Sequence, residues 1–539
     1  MRSRRATHGE LPPTLPEAPH RLVASLEGRF KGLETDFHDA YWRSQIDVGP
    51  ESERRRTELE LELRRIKGDG DALASVEAAL EDPLHDPLLE RQLQVLRLSL
   101  LGNQMDDAQR EEMVRLASSI EGDFSAHRPL LDGERVTDND IEEVLRDSDD
   151  VDRRRRAWEA SKEVGGVVAS RIRELARVRN AFAHELGYGD YFQMALELQE
   201  LDESWLFATL EGLERLTRGP YLGWKQDLDD RLRARFGDSE LYPWHYADPF
   251  FQHAPPDGRV SLDGVLRDAS AVDLARETFA LWAIDLTEVM AQSDVFPRER
   301  KSQHAFCLDV DRTGSNVRLL ANIVPGERWV EVMLHESGHA AYDVSIEHDV
   351  PYLLHRPAHT FVTEAIAILS GRLVRDPKWL VDVAGIPAQE VTPLEQSLAR
   401  AGAAQSLVFA RLALVVVHFE RQLYADPEAD LDAAWWELVE RYQLVRRPPA
   451  RSAPDWAAKI HVAAAPAYYQ NYILGEVLAS QLRAACEHEC GALVGSREAG
   501  ELLKERVFRH GSMKRWDALI EGATGRPLSP DDFASQLVA

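Results

Sequence analysis

Apolar residues recur every three or four positions along most of the chain, which is the period of an amphipathic helix. The same regions are rich in Leu, Ala, Glu and Arg, all of which favour helices. The clearest predicted helical segments are 51–66, 87–122, 140–187 and 202–216. The most continuous apolar stretch, 406–419, is too short to span a bilayer and carries Arg411 and His418, so it predicts a buried helix.

Alternating β-branched positions, the mark of a strand, are scarce. The best example is CLDVDRTGSNVRLLANI at 307–323, which predicts a small hairpin with a Thr-Gly turn. Predicted loops cover 10–20, 236–260 and 446–455. No Pro/Gly linker divides the chain, so we predict a mostly α-helical fold in one interlocked body.

Composition narrows the class of function. The 539 residues include 64 Lys and Arg against 92 Asp and Glu, a formal net charge of −28. Nucleic-acid binding needs a basic face to neutralise phosphates, so it is not expected. Neither a signal peptide nor a membrane span is apparent, and the three cysteines are too few for a disulfide scaffold. We therefore expect a cytoplasmic protein with no membrane partner.

One motif carries metal chemistry. Residues 331–343 read EVMLHESGHAAYD, in which His335 and His339 lie four positions apart. On a helix these side chains share one face, with Cβ atoms about 5–6 Å apart, close enough to bind one Zn²⁺. Glu336 follows the first histidine and can act as general base toward the attacking water.

A catalytic zinc needs a third protein ligand and an open position. The segment after the motif, HDVPYLLHRPAHTFVTEAIAILSGRLV, spans residues 348–374 and contains several possible ligands. Spacing favours Glu364, which opens a second helical run, but leaves His359 as an alternative. The candidates are His348, His355, His359 and Glu364.

Several further blocks resemble the angiotensin-converting enzyme family of zinc dipeptidyl carboxypeptidases. They are collinear with that family over about residues 140–530, whereas the first 130 residues resemble it only in being helical. The blocks are LRDSDDVDRRRRAWEASKEVGGVV at 145–168, ARVRNAFAHELGYGDYF at 176–192, His-Ala at 304–305, WWELVERYQLVRRPP at 435–449 and DWAAKIHVAAAPAYYQNY at 455–472.

The resemblance implies a two-lobed helical peptidase with a deep central channel for short peptides and a small hairpin beside the zinc helix. It divides the chain into a flexible N-terminus, 1–20, and a single body, 21–539. Within that body, helices over 21–135 can cover the channel, and 136–539 form the catalytic part. We expect one Zn²⁺ per chain and a monomer or homodimer.

The resemblance also assigns roles to residues. It implies His335, His339 and Glu364 as zinc ligands and Glu336 as the base that passes its proton to the leaving amine. Backbone at His304 and Ala305 would hold the peptide as an added strand. The remaining implied residues are Lys459 and Tyr468, which would clamp the free C-terminal carboxylate, and His461, which would bind the penultimate carbonyl.

Three positions depart from the family pattern. Asn471 stands where the family has the tyrosine that donates to the oxyanion, and the adjacent Tyr472 can take that role if the helix start shifts by one residue. Gln470 replaces a chloride-binding arginine. Ile368 replaces an aspartate that steadies a zinc histidine, a loss that costs about 10–100-fold in metal affinity or activity unless another group substitutes.

These departures favour the neighbouring thimet-oligopeptidase family, to whose tyrosine-rich helix residues 468–482 are similar. The first hypothesis is nevertheless the release of C-terminal dipeptides, which the resemblance to the angiotensin-converting enzyme family implies. The alternatives are a thimet-type endo-oligopeptidase, a single-residue metallocarboxypeptidase and a peptide-binding homologue without turnover. Peptide sequence preference cannot be read from the sequence.

Overall fold

The computed structural model describes residues 17–81, 83–255 and 261–537. Most of them are helical, so the predicted fold class is confirmed. The first helix begins at Glu17, which makes the end of the predicted flexible N-terminus, residues 17–20, helical. Residues 1–16 and 256–260, which belong to the predicted N-terminus and loops, lie outside the described residues.

The N-terminal part is a group of helices followed by a two-residue ladder. The predicted helix over 87–122 is interrupted, because Gly102 ends one helix and Asp106 starts the next by accepting a hydrogen bond from the Gln109 N–H. The elements are α1 (Glu17–Ile46), α2 (Pro50–Lys67), α3 (Gly70–Glu81), α4 (Pro87–Leu101), α5 (Asp107–Ala126), β1 (Leu130–Leu131) and β2 (Glu134–Arg135).

The next part contains five helices. The predicted helix over 140–187 is divided into three, with Asp150 capping the second of them, and the helix predicted over 202–216 continues to Phe236 although Pro220 lies inside it. The elements are α6 (Asp138–Asp147), α7 (Val151–Ser161), α8 (Glu163–Glu185), α9 (Tyr191–Leu198) and α10 (Glu203–Phe236).

Short helices then lead into the predicted hairpin. Its strands pair antiparallel from Phe306 opposite Leu320 to Asp309 opposite Val317, and Gly314 in the turn has a φ of +72°, which glycine adopts without strain. The elements are α11 (Asp263–Leu266), α12 (Ala271–Leu281), α13 (Thr287–Gln292), β3 (Phe306–Asp309) and β4 (Val317–Leu320).

The C-terminal part supplies the centre of the molecule. Both hairpin strands pack against α14, which packs against α15, and α15 packs against α21. The elements are α14 (Glu327–Val344), α15 (Thr360–Gly371), α16 (Pro377–Asp382), α17 (Ala388–Val391), α18 (Glu395–Ala425), α19 (Leu431–Leu438), α20 (His461–Ala464), α21 (Tyr469–Cys490), α22 (Arg497–Leu503), α23 (Trp516–Thr524) and α24 (Asp531–Gln536).

The apolar stretch at 406–419 lies inside α18, as a buried helix. In the described part of the chain, the run 388–425 is long and apolar enough to pass as a membrane span, but 67% of its apolar window is buried inside the protein. α18 packs against α8, α9, α10, α19 and α21, which accounts for its apolar surface.

Candidate metal centre and peptide-binding site

Helix α14 brings His335 and His339 together on one face. Their ring centroids are 5.1 Å apart, and the ring planes cross at 80°. Both side chains are half-buried, whereas Glu336, the residue after His335, is only 8% exposed. The four-residue spacing therefore places two imidazoles and one carboxyl group in a single enclosed region.

Helix α15 adds Glu364 to the pair. Its Oε2 atom lies 3.8 Å from His335 Nε2 and 3.9 Å from His339 Nε2. This oxygen is buried and has no hydrogen-bond partner among the described residues. A buried carboxylate oxygen left without a partner is costly, and a cation between the three atoms would satisfy it.

The alternative third ligand, His359, is occupied elsewhere. Its Nδ1 accepts a hydrogen bond from the Phe361 N–H at 3.1 Å, which caps α15. The proton is therefore on Nε2, which donates to the Gln199 carbonyl oxygen at 2.6 Å. His359 thus helps to start the helix that carries Glu364 and does not join the cluster.

Two glycines allow the three helices of the site to approach closely. A Cβ atom at Gly338 would lie 2.8 Å from Ala367 Cα, so α14 and α15 meet backbone to backbone. A Cβ at Gly475 would lie 3.1 Å from Glu364 Cβ, so α21 covers Glu364 directly. Any larger residue at Gly338 would push Glu364 away from the histidines.

Outer contacts orient two of the three candidate ligands. His339 Nδ1 lies 2.7 Å from the Thr363 hydroxyl, and the Tyr468 hydroxyl donates to Glu364 Oε1 at 3.1 Å. Thr363 directly precedes Glu364 in α15. The same turn of the helix therefore places a hydroxyl near His339 Nδ1 and a carboxylate oxygen near His339 Nε2. In the resembled family an aspartate at the position of Ile368 contacts a zinc histidine. Here the Thr363 hydroxyl contacts His339, and no sequence motif indicated this contact.

Burial shapes the protonation of the centre. It lowers the pKa of His335 to about 4 and that of His339 to about 3, so both rings are neutral at pH 7 and have a free lone pair. Burial and the charge of Glu364 raise the pKa of Glu336 to about 8. Two neutral imidazoles and buried carboxyl groups, whose ionised forms a neighbouring cation would stabilise, form a donor set that fits Zn²⁺.

The tyrosines at the start of α21 are placed differently from the expected clamp. Tyr468 contacts Glu364, whereas the tyrosine ring that lies against the Lys459 ammonium, 5.4 Å away, belongs to Tyr469. Tyr472 meets Tyr468 edge to face with ring centroids 5.1 Å apart, and it lies within electrostatic reach of Glu364 and Glu336. The structure therefore brings Tyr468 to the candidate metal ligands and Tyr469 to Lys459.

Asn471 and Gln470 face the other way. Asn471 is buried and donates to Gln199 Oε1 at 2.9 Å, and Gln470 Nε2 lies 3.3 Å from the same oxygen. Tyr472 lies one position further along the helix, and burial followed by the charges of Glu364 and Glu336 raises its pKa.

Lys459 and His461 lie at a cavity of about 180 Å³, here called the Lys459 cavity. It is enclosed by α6, by the junction of α7 and α8, and by residues 249–252 and 458–461. The Lys459 ammonium is buried and donates to Gln252 Oε1 at 2.8 Å. Gln252 is a functional candidate that the sequence did not indicate, because it lies in a loop without a motif.

A buried carboxylate positions that loop. Asp248 accepts hydrogen bonds from the backbone N–H groups of Phe250, Gln252 and His253 at 2.9–3.0 Å. His461 stands 5.3 Å from the Tyr469 ring, and its buried Nδ1 has no partner among the described residues. Lys459, Gln252 and His461 thus present polar groups to one cavity.

His304 and Ala305 precede β3. His304 is exposed and Ala305 is half-buried. Among the described residues β3 pairs only with β4, which leaves the other edge of β3 open for an added strand. The strand lies near the metal centre, because β3 packs against α14, the helix that carries His335 and His339.

Two family models match the chain. One, described as Peptidase family M3, matches residues 291–539, and one described as angiotensin-converting enzyme matches residues 17–214. The resemblance to both families is therefore confirmed, and the angiotensin-converting enzyme match includes the first helices, where the sequence blocks gave no likeness beyond helicity. No curated protein gives a significant match.

Proposed function

Because the matched families are zinc metallopeptidases that act on peptides, we propose that this chain is a peptidyl-dipeptidase. It would release dipeptides from the free C-terminus of short peptides. One observation carries the proposal: the buried ammonium of Lys459, held by Gln252 beside a cavity, is suited to bind a substrate carboxylate.

The position of Lys459 supports release of two residues. A chain of contacts leads from Lys459 to the Tyr469 ring, from Tyr469 to Tyr472 over 5.5 Å and from Tyr472 to Tyr468 over 5.1 Å, and ends at Glu364. Three tyrosines thus link Lys459 to Glu364 by contacts, an arrangement in keeping with a substrate that extends from the clamp to the metal ligands.

Zn²⁺ held by His335, His339 and Glu364 would supply Lewis-acid activation of the water and of the scissile carbonyl. Glu336 takes a proton from the attacking water and transfers it to the leaving amine. The Tyr472 hydroxyl donates a hydrogen bond to the oxyanion. Tyr468 is less suited to this role because its hydroxyl already donates to Glu364.

Two further groups hold the substrate. Burial lowers the pKa of His461 to about 4, so its neutral ring donates an N–H to the penultimate carbonyl oxygen. The open edge of β3, next to His304 and Ala305, pairs with the peptide backbone. We also propose a cytoplasmic location, in keeping with three free cysteines in the described chain.

The test is a digest of one unstructured decapeptide, with a free or an amidated C-terminus, followed by mass spectrometry. The zinc-loaded protein should remove two residues at a time from the free form only. The matched controls are Glu336→Gln, which should be inactive, and Lys459→Met, which should lose the preference for the free acid.

Each alternative predicts another pattern. Internal cuts in both peptide forms would indicate a thimet-type oligopeptidase, and release of single residues would indicate a metallocarboxypeptidase. Equal absence of cleavage in the wild type and in Glu336→Gln, with the free peptide still bound, would indicate a peptide-binding homologue.

A further inference from the structure

The Lys459 cavity extends beyond the ammonium that binds the carboxylate. Its far wall is formed by α6, where Ile141 is buried, Glu142 is half-buried and Asp138 is exposed at the rim. Apolar side chains of Phe124 and Val164 line the space between them. A substrate whose C-terminal carboxylate rests on Lys459 must place its last side chain in this space.

Glu142 is a carboxylate without a protein partner. In the described chain it makes no hydrogen bond and no ion pair, although it faces a cavity and is half-buried. Burial first, and the charge of Asp248 next, raise its pKa, so its environment disfavours the negative charge unless a cation arrives. Its charge also acts on Lys459, which places it within electrostatic reach of the clamp.

Among the described residues no nearby cation forms an ion pair with Glu142, although the charges of His253 and Arg328 act to lower its pKa. Lys459 already donates to Gln252, and Lys162 lies across the Phe250 ring, at a separate cavity of about 20 Å³ that Asp455 also lines. His127, on the cavity wall, lies 3.8 Å from Glu163. The cavity is therefore lined by Lys459, which can bind a carboxylate, and by the half-buried Glu142, which can bind a cation, with Asp138 exposed at the rim.

We propose that the Lys459 cavity binds the side chain of the substrate's C-terminal residue and that Glu142 selects lysine or arginine at that position. This inference rests on the proposed function, because it requires the substrate carboxylate at Lys459. The apolar walls contact the aliphatic part of a long side chain, and Glu142 pairs with its charged end. The substrate class is then short peptides that end in a basic residue.

The test compares peptides that differ only in the last residue: arginine, its neutral isostere citrulline, and glutamate. The wild type should cleave the arginine peptide with a kcat/KM about tenfold or more above the citrulline peptide, because a poorly solvated charge pair contributes at least that much. The glutamate peptide should be the poorest substrate. Glu142→Gln should abolish the difference in kcat/KM between the arginine and citrulline peptides.

Glu143→Gln is the matched control. It removes the same charge from the neighbouring, exposed position of α6, so the preference for arginine should persist. Equal rates for arginine and citrulline in the wild type, or an arginine preference that survives in Glu142→Gln, would overturn the inference.

Binding provides a readout independent of turnover. The dipeptides Ala-Arg and Ala-citrulline are titrated calorimetrically into zinc-loaded Glu336→Gln, where Ala-Arg should bind about tenfold more tightly. Equal affinities for both dipeptides, with amidated Ala-Arg much weaker, would reject the role of Glu142 while the carboxylate clamp stands. If amidation leaves the affinity unchanged, the proposed function fails, and this inference fails with it.

Discussion

At the scale of single residues, the contact between Thr363 and His339 distinguishes this centre. His339 must keep its Nε2 lone pair for a metal, so Nδ1 carries the proton and donates to the Thr363 hydroxyl 2.7 Å away. The hydroxyl fixes the orientation of the ring but, being neutral, polarises it less than a carboxylate would. His339 thus has the neutral hydroxyl of Thr363 as its partner.

Removing this hydroxyl should weaken metal binding. Thr363→Val keeps the side-chain volume and removes the acceptor, so the affinity for Zn²⁺ should fall about 10–100-fold, measured by competition with a chromophoric chelator. Thr363→Ser retains a hydroxyl and should restore most of the affinity. A valine variant that binds Zn²⁺ as tightly as the wild type would show that the contact does not orient the ligand.

The clamp should depend on pH. Burial lowers the pKa of Lys459 to about 8, against the opposing charges of Asp248 and Glu142. Below pH 8 the ammonium is charged and binds the substrate carboxylate, whereas above it the neutral amine does not. The KM for free-acid peptides should therefore rise as the pH passes through about 8, while kcat changes less.

Lys459→Arg provides the comparison for this pH effect, because a guanidinium stays protonated throughout the range. Its KM, whatever its absolute value, should show no rise near pH 8. Identical pH profiles of KM for the wild type and the arginine variant would mean that another group titrates.

At the scale of elements, the site depends on how closely α14 and α15 pack. Gly338 is the point of closest approach, and a Cβ atom at Gly371 would lie 3.5 Å from the carbonyl oxygen of Glu331 on the facing helix. Helices normally pack 8–10 Å apart depending on the side chains between them. A glycine at the crossing therefore determines whether Glu364 reaches the histidines.

Gly338→Ala should disturb both stability and the metal centre. The new Cβ would clash with the Ala367 backbone, so we expect a loss of about 1–3 kcal/mol in the free energy of unfolding and weaker zinc binding. Gly402→Ala in α18 is the control, since its Cβ meets nothing within 4 Å. That change should stabilise the protein by up to about 1 kcal/mol and leave zinc binding unchanged. Equal behaviour of the two variants in chemical denaturation would contradict the packing argument.

At the scale of the whole molecule, Arg91 ties three distant parts of the chain together. Its guanidinium pairs with both oxygens of Glu200, after α9, and its Nε donates to the Ser512 carbonyl oxygen at 2.9 Å. Arg91 is 5% exposed, so the pair is well shielded from water. The N-terminal helices are thereby joined to the segment before α23.

Breaking this pair should destabilise the whole protein. Arg91→Met leaves Glu200 without its main partner, and we expect a loss of about 3 kcal/mol in the free energy of unfolding. Arg115→Met, which breaks an exposed pair with Glu112 on α5, is the control and should leave the unfolding midpoint nearly unchanged. If both variants unfold at the wild-type midpoint, Arg91 does not hold the parts together.

The sequence by itself determined what depends on neighbouring residues. The helical period predicted most helices and the shared face of His335 and His339, because the geometry within one helix follows from spacing alone. The hairpin before α14 followed in the same way from alternation and a Thr-Gly turn. Local signals were weaker at helix ends, since the caps at Asp106 and Asp150 divide segments whose apolar pattern continues.

Only the tertiary structure decided what depends on how the helices pack. Sequence spacing did not decide whether His359 or Glu364 is the third metal ligand. In the structure His359 caps α15, whereas Glu364 lies beside the histidines because Gly338 allows α14 and α15 to pack closely. The partner of His339, the tyrosine that lies against Lys459 and the position of Gln252 are likewise contacts between segments far apart in the chain. Such contacts depend on the packing of the core, which no local pattern encodes.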